Sequence, residues 1–275
     1  MERAPDQPEA EVPLQGGNAS AGVVRIGGTV RKPWLPQTPL VTAFTIALRE
    51  RGIDLPVPLG RDEQGRQVLE FVPGTLALES GPLPLEDLRR VGALVRRIHE
   101  ASAAIPPGEL ERAAAPAAPS EEGTAPAGWS DPLLPVPGPP ELICHNDLAP
   151  WDLVLDGERM VVIDLDGAGP STRAWDLAYA AQSFADLFPH RDPEDSAARL
   201  RAFVVKGYRA DEKLRAGLPA LLGRRTGAMA DMLLTAHEQG IDPWGTMHTE
   251  GHGAIWSGAT AYVCEHEEMW RRALA

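Results

Sequence analysis

Cysteine, lysine, aromatic side chains and long apolar runs are all scarce in this chain, and each scarcity excludes something. Cys144 and Cys264 are the two cysteines in 275 residues. They have no framework spacing, which argues against a disulfide scaffold and makes a reducing cytoplasm the expected compartment. No run approaches the roughly 18 apolar residues of a membrane-spanning helix. The opening MERAPDQPEAEVPLQGG is acidic with no apolar centre, unlike a signal peptide. Lysine occurs only at Lys32, Lys206 and Lys213, so arginine carries most of the positive charge. Acids outnumber bases 39 to 26, a formal net charge of −13. Nucleic acid or an anionic membrane would be repelled by that field. A cationic small molecule would be drawn in, although solubility is the simpler account of the charge.

What is present is ordinary globular material. Apolar residues make up 43%, near the usual value, and the length suits one large domain or two modest ones. Residues 1–13 read as a polar, proline-bearing lead-in. From 14 to 74 the order is strand, strand, helix, strand, strand, a small α+β lobe. Val23, Val24 and Ile26, the turn at Gly27 and Gly28, and Thr29–Lys32 make a hairpin in which Val30 and Lys32 share a face by period-two alternation. A helix over 38–51 takes Thr38 as N-cap, Pro39 at its first position and Gly52 at its C-terminal end. Strands over 57–59 and 67–72 follow, and Pro73 and Gly74 close the lobe.

The remainder, 75–275, reads as a larger, mainly helical lobe. Residues 85–104 form an amphipathic helix. Residues 105–140, rich in Pro, Ala, Gly and Glu, have no period and read as a flexible insertion. Further helices are expected over 174–187, 193–209, 210–239 with a break near 217–219, and 249–274.

The chemistry concentrates in 142–178, LICHNDLAPWDLVLDGERMVVIDLDGAGPSTRAWDLA. Two apolar runs, 153–155 and 160–163, flank Asp156, Gly157 and Glu158, a strong hairpin turn. Asp147 and Asp152 precede the first run; Asp164 and Asp166 follow the second. A hairpin therefore gathers up to four carboxylates at one end of a small sheet. Such a group repels itself unless a cation intervenes, and hard oxygen ligands suit Mg²⁺. Phosphoryl transfer needs this division of labour. One carboxylate takes or orients the proton of the attacking hydroxyl, and others hold Mg²⁺ on the nucleotide phosphates. Asp147 is placed for the first role, Asp152 and Asp164 for the second.

The pattern His145, Asn146, Asp147, then Asp152, then Ile163, Asp164, Leu165, Asp166, Gly167, then Trp175, Asp176, Leu177, Ala178 resembles the aminoglycoside phosphotransferase and choline kinase family. The resemblance implies a two-lobed protein-kinase-like fold: a small antiparallel sheet lobe with one helix, and a larger helical lobe carrying the catalytic hairpin. It implies transfer of the γ-phosphoryl group of ATP (or GTP), with Mg²⁺, to a hydroxyl of a small molecule. By the same resemblance the loop at Gly16, Gly17 and Asn18 would cover the phosphates. Lys32 would contact the α and β phosphates, and the backbone of Glu70 to Val72 would bind adenine. Asp152 stands where the family has a metal-binding Asn. That departure leaves two readings open: an active kinase, or a catalytically degenerate nucleotide-binding or scaffold protein of the same fold.

Other residues carry plainer expectations. Asp166 is either a second metal contact or a backbone cap, Asp176 a structural helix-start residue, and His145 a support for the loop. Cys144 reads as a buried structural thiol. Glu50 is the acid available on the first helix to pair with Lys32. His248–His252 lacks the His-Glu-x-x-His order of a zinc site. Asp231, Glu238 and Glu250 are acidic candidates facing an amine-bearing acceptor. The acceptor's identity, ATP against GTP, and the oligomeric state are not written in the sequence.

Overall fold

The computed structural model describes residues 10–14, 22–115, 128–130 and 133–275. Its N-terminal part is an antiparallel sheet in the order β1-β2-β3-β5-β4. The strands are β1 (Val12–Pro13), β2 (Val24–Ile26), β3 (Thr29–Lys32), β4 (Pro58–Arg61) and β5 (Gln67–Glu70). The Gly27 and Gly28 turn joins β2 to β3, and β3 pairs with β5 so that Val30 faces Leu69 and Lys32 faces Gln67. Val30, Lys32 and Leu69 consequently look into the same cleft.

Helix α1 (Thr38–Glu50) packs on this lobe. Thr38 does not cap it: the Thr38 hydroxyl accepts the Leu35 N–H at 2.9 Å, fixing the turn before the helix, and Gln37 occupies the N-cap. Gly52, at φ +80°, provides the left-handed exit after the C-cap at Arg51.

Gly74 marks the passage between lobes. Its φ is +136°, and a Cβ there would lie 2.4 Å from the Leu155 carbonyl oxygen, so only glycine fits. Beyond it β6 (Thr75–Leu76), β8 (Leu153–Asp156) and β9 (Arg159–Val162) form one small sheet. β7 (Leu142–Cys144) and β10 (Gly169–Ser171) form another. The β8–β9 hairpin turns at Gly157, with Asp156 opposite Arg159.

The second lobe is helical: α2 (Leu85–Ala103), α4 (Arg173–Phe184), α5 (Pro193–Leu200) running into a π-helical segment (Arg201–Tyr208), and α6 (Glu212–Gln239). It ends with α7 (Trp244–Met247), a π turn (His248–His252), α8 (Gly253–Glu265) and α9 (Glu267–Leu274). Side-chain caps start three of these helices: Thr172 for α4, Asp192 for α5 and Asp211 for α6. Within 105–140 the described residues include a short helix, α3 (Glu109–Ala114), whose Leu110 is buried. One anchored leucine in six residues leaves no periodic signature.

Two features of the helical lobe also differ from the sequence expectation. α6 runs unbroken through Pro219. The ring removes one helical hydrogen bond, but Leu218, Pro219 and Leu222 are all buried, and that packing outweighs a loss of roughly 3 kcal/mol. The C-terminal 249–274 helix is instead interrupted, at Gly251 (φ +110°) and at His266 between α8 and α9.

The core holds Phe184 stacked on Phe203 at 5.7 Å, with Trp270 and Phe44 fully enclosed. Arg199 is buried there too, and donates to the carbonyls of Leu83 (2.8 Å), Phe184 (3.1 Å) and Ala185 (3.2 Å). α2 and the π segment meet through two glycines. A Cβ on Gly92 would lie 2.2 Å from the Phe203 oxygen, and one on Gly207 would lie 2.5 Å from the Arg89 oxygen. Both obstacles are backbone, so neither can swing aside. Gly92→Ala should therefore destabilise the protein by about 1–3 kcal/mol or more through overpacking, read as a lower denaturant midpoint. An unchanged midpoint would mean that the two helices do not approach this closely.

Candidate active site

β7 delivers the chain into the loop of His145, Asn146 and Asp147, and several bonds hold that loop in shape. Asn146 is left-handed at φ +67°, a conformation Asn tolerates better than most residues. Its N–H donates to Asp176 Oδ1 at 2.6 Å. Asp176 Oδ2 receives His99 Nε2 at 2.8 Å, and His99 Nδ1 meets the Tyr208 hydroxyl at 2.9 Å. Burial opposes a charge on Asp176, yet the His99 hydrogen bond and the His99 charge hold its carboxyl below the usual range. His145 bridges the loop to the end of β9: Nε2 donates to the Ile163 carbonyl at 3.1 Å, and Nδ1 accepts the Asp147 N–H at 3.4 Å. Asn146 Nδ2 reaches across to the carbonyls of Gly167 (3.1 Å) and Gly169 (3.4 Å).

Asp147 is exposed as a residue, but close neighbours desolvate its carboxyl and raise it above its ordinary value, against the lowering influence of Tyr179 and Arg225. Asp152 ends a tight 3₁₀ turn, Pro150–Asp152. Its N–H donates to Ala149 and its carbonyl accepts from Ile163, both at 2.9 Å. Its side chain is only 4% exposed, and Oδ2 has no hydrogen-bond partner. Burial first, then the charges of Asp147 and Asp164, push this carboxyl well up. Asp164 is left-handed at φ +58°, which turns its carboxylate back toward the cleft. Lys32 Nζ sits 2.5 Å from Asp164 Oδ1 and 2.7 Å from Asp166 Oδ2. Burial alone would lower the Lys32 pKa, but the two carboxylates raise it and keep the ammonium charged. Glu50 is not its partner. It is exposed in the last turn of α1, whose buried face carries no acid.

These residues border a cleft of ≈ 290 Å³ between the lobes. Val23, Val30, Leu69 and Val154 supply apolar walls, Lys32, Asp152 and Asp164 the polar end, and Glu70 to Val72 the far edge. Along that edge the Glu70 N–H donates to Val57 O at 2.9 Å and the Phe71 N–H to Gly28 O at 2.9 Å. The Val57 N–H is taken by the Glu70 carboxylate at 3.0 Å rather than by a carbonyl. Of the sequence-derived site residues, Lys32, Glu70, Val72, Asp152 and Asp164 thus share one cleft. Asp147, His145 and Asp166 adjoin it, and Asp176 braces it from behind. Gly17 lies outside the described residues.

The acids Asp231, Glu238 and Glu250 are exposed. Arg225 is instead the charged side chain in the buried stripe of α6. It and Tyr179 escaped the sequence reading. Tyr179 directly follows the Trp175–Ala178 motif on α4, which was its one available signal; α6 carries no motif, and only its place in the apolar stripe, unusual for an arginine, could have signalled Arg225. Cys144 is buried, which raises its thiol pKa well above the ordinary value. It lies with His99 and Asp176 in the one grouping of metal-type side chains found among the described residues, but both His99 nitrogens are already engaged.

Similar proteins place this geometry. The sequence model of the phosphotransferase enzyme family matches residues 15–216. The trifolitoxin immunity protein of Rhizobium leguminosarum bv. trifolii is 27% identical over 278 residues, spanning 96% of this chain and 99% of that protein. Among solved structures, a microcompartment-associated aminopropanol kinase superposes with a TM-score of 0.62 at 14% identity, covering 97% of this chain and 94% of that one. An amicoumacin kinase in complex with AMP-PNP, Ca²⁺ and Ami superposes at 0.61 with 16% identity, covering 95% and 89%. Those two structures share the protein-kinase-like fold with this chain. The family model covers well over half of the chain and includes both the cleft and the aspartates around it, and the chain belongs to the phosphotransferase enzyme family.

Proposed function

We propose that the protein transfers the γ-phosphoryl group of ATP (or GTP) to a hydroxyl of a small molecule, using Mg²⁺. The observation that carries this is the convergence of Lys32, Asp152 and Asp164 at the polar end of an apolar cleft, with Asp147 beside them. The apolar walls suit a nucleobase, whose edge would meet the backbone of Glu70 to Val72. Lys32, now neutralised by Asp164 and Asp166, would turn to the α and β phosphates. The buried, unpartnered Oδ2 of Asp152 and the carboxylate crowding around it fit a hard divalent cation, which Asp152 and Asp164 would hold. When bound, such an ion neutralises charge on the phosphate oxygens. Asp147 would accept the hydroxyl proton, with the Tyr179 hydroxyl holding its orientation.

The second reading, a catalytically degenerate nucleotide-binding or scaffold protein, draws on Asp152 in place of the family Asn. Against it stands the chemistry of that side chain: a carboxylate oxygen ligates a hard cation as an amide oxygen does, and Asp152 Oδ2 is buried without another partner.

Three outcomes test this. ATP or GTP with Mg²⁺ should raise the melting temperature; no shift with either nucleotide would overturn both readings. Asp147→Ala should lower acceptor phosphorylation by about 10²- to 10⁴-fold, the usual contribution of a general base, while nucleotide still binds. Asp152→Asn should retain transfer in the ADP-release assay, whereas Asp152→Ala should lose it. Activity that first appears in Asp152→Asn would instead establish the degenerate reading.

A further inference from the structure

Two arginines are buried among the described residues, and they are used differently. Arg199, 5% exposed, spends Nε, Nη1 and Nη2 on three backbone carbonyls. Its role in joining helices is complete. Arg225, 4% exposed, makes one hydrogen bond, from Nη2 to the Asn146 carbonyl at 2.9 Å. Its Nε and Nη1 have no partner, which leaves three N–H donors unspent, one on Nε and two on Nη1. No carboxylate forms an ion pair with it among the described residues. The guanidinium lies over the Tyr179 ring at 4.2 Å and toward the Trp175 ring at 5.4 Å. Both aromatics belong to α4, which packs against α6. A buried cation with idle donors is costly unless a partner arrives, and aromatic faces compensate only a part of the charge.

The location matters as much as the deficit. Arg225 holds the carbonyl of the residue before Asp147 and contributes to the field at the Asp147 carboxylate. Arg225 therefore lies on the α6 side of the catalytic loop, bonded one residue from the group that would meet the hydroxyl. Asp231, Glu238 and Glu250 are exposed. Of the charged residues of α6, Arg225 is the one in its buried stripe.

On the strength of the phosphotransfer reading above, we infer that Arg225 recognises an anionic oxygen group on the acceptor, so that the substrate is a hydroxylated carboxylate rather than an amino alcohol. The negative net charge of the chain then serves solubility, and the local field at the acceptor side is set by one arginine. Binding needs a modest side-chain shift to expose the idle N–H groups, and the gain is charge-assisted hydrogen bonding.

The test is acceptor-dependent ADP release by the full chain with ATP and Mg²⁺, using matched probes: glycolate against ethylene glycol, glycerate against glycerol, and ethanolamine as the cationic arm. The hydroxy acids should exceed their neutral partners in kcat/KM by at least about tenfold, the scale of one charge-assisted hydrogen bond. Arg225→Met should erase that ratio, mainly through KM. Preference for ethanolamine overturns the inference. So does an Arg225→Met variant that lowers charged and neutral acceptors by the same factor, since that marks mere support of the loop. A wild-type protein that binds ATP but is not accelerated by either hydroxy acid also overturns it. Failure to bind nucleotide at all removes the phosphotransfer reading instead, a separate result in the thermal-shift assay. Should Arg225→Met not fold, Arg225→Lys keeps the charge and loses the planar fork. It should raise KM for the hydroxy acids, and an unchanged KM would count against recognition by Arg225.

Discussion

The contact on which the site depends is the ion triad of Lys32 with Asp164 and Asp166. It spans the cleft, with the lysine on β3 and both acids on the loop after β9. Lys32 is 5% exposed, so its charge is stripped of water and must be answered by protein. Removing one partner from such a pair commonly costs about 3–5 kcal/mol, because the remaining charge is left buried. The buried face of α1 has only apolar residues and threonines, so the small lobe supplies no counter-charge of its own. The larger lobe does, and the two halves of the molecule are joined at the point where phosphate would sit.

A second constraint is the management of buried charge elsewhere. Arg199 shows the ordinary solution, every donor matched to a carbonyl. Asp176 shows another, a carboxylate shared between a backbone N–H and His99. Asp152 and Arg225 show neither, and both keep polar atoms without partners. Asp152 lines the cleft, and Arg225 reaches the Asp147 loop from α6. Gln67, Ser171, Arg215 and His248 also keep a buried polar atom without a partner, so the deficit alone does not mark a site.

The hairpin at 153–162 and its flanking aspartates were readable because their cues are local: an Asp-Gly turn, β-branched runs and carboxylates at fixed offsets. The β2–β3 hairpin was readable for the same reason, and with it the inward face of Lys32. The partner of Lys32 was not, because Asp164 lies 132 residues away and the eye is drawn to acids on the neighbouring helix. Pro219 misled because its propensity cost is local and visible, whereas the burial that offsets it is tertiary. The helical period that puts Arg225, Met229 and Leu233 inside leaves Asp231 and Glu238 on the exposed face of α6. Arg225 belongs to no motif, and Tyr179 only follows one; the packing of α4 on α6 brings them together.

Asn146 has one more effect. Its side chain is bonded to the carbonyls of Gly167 and Gly169, its N–H to Asp176, and the adjacent His145 to Ile163. The segment bearing Asp147 and the segment bearing Asp164 are thereby cross-linked at several points on either side of the β7–β10 pairing. Thermal motion of one must carry the other with it.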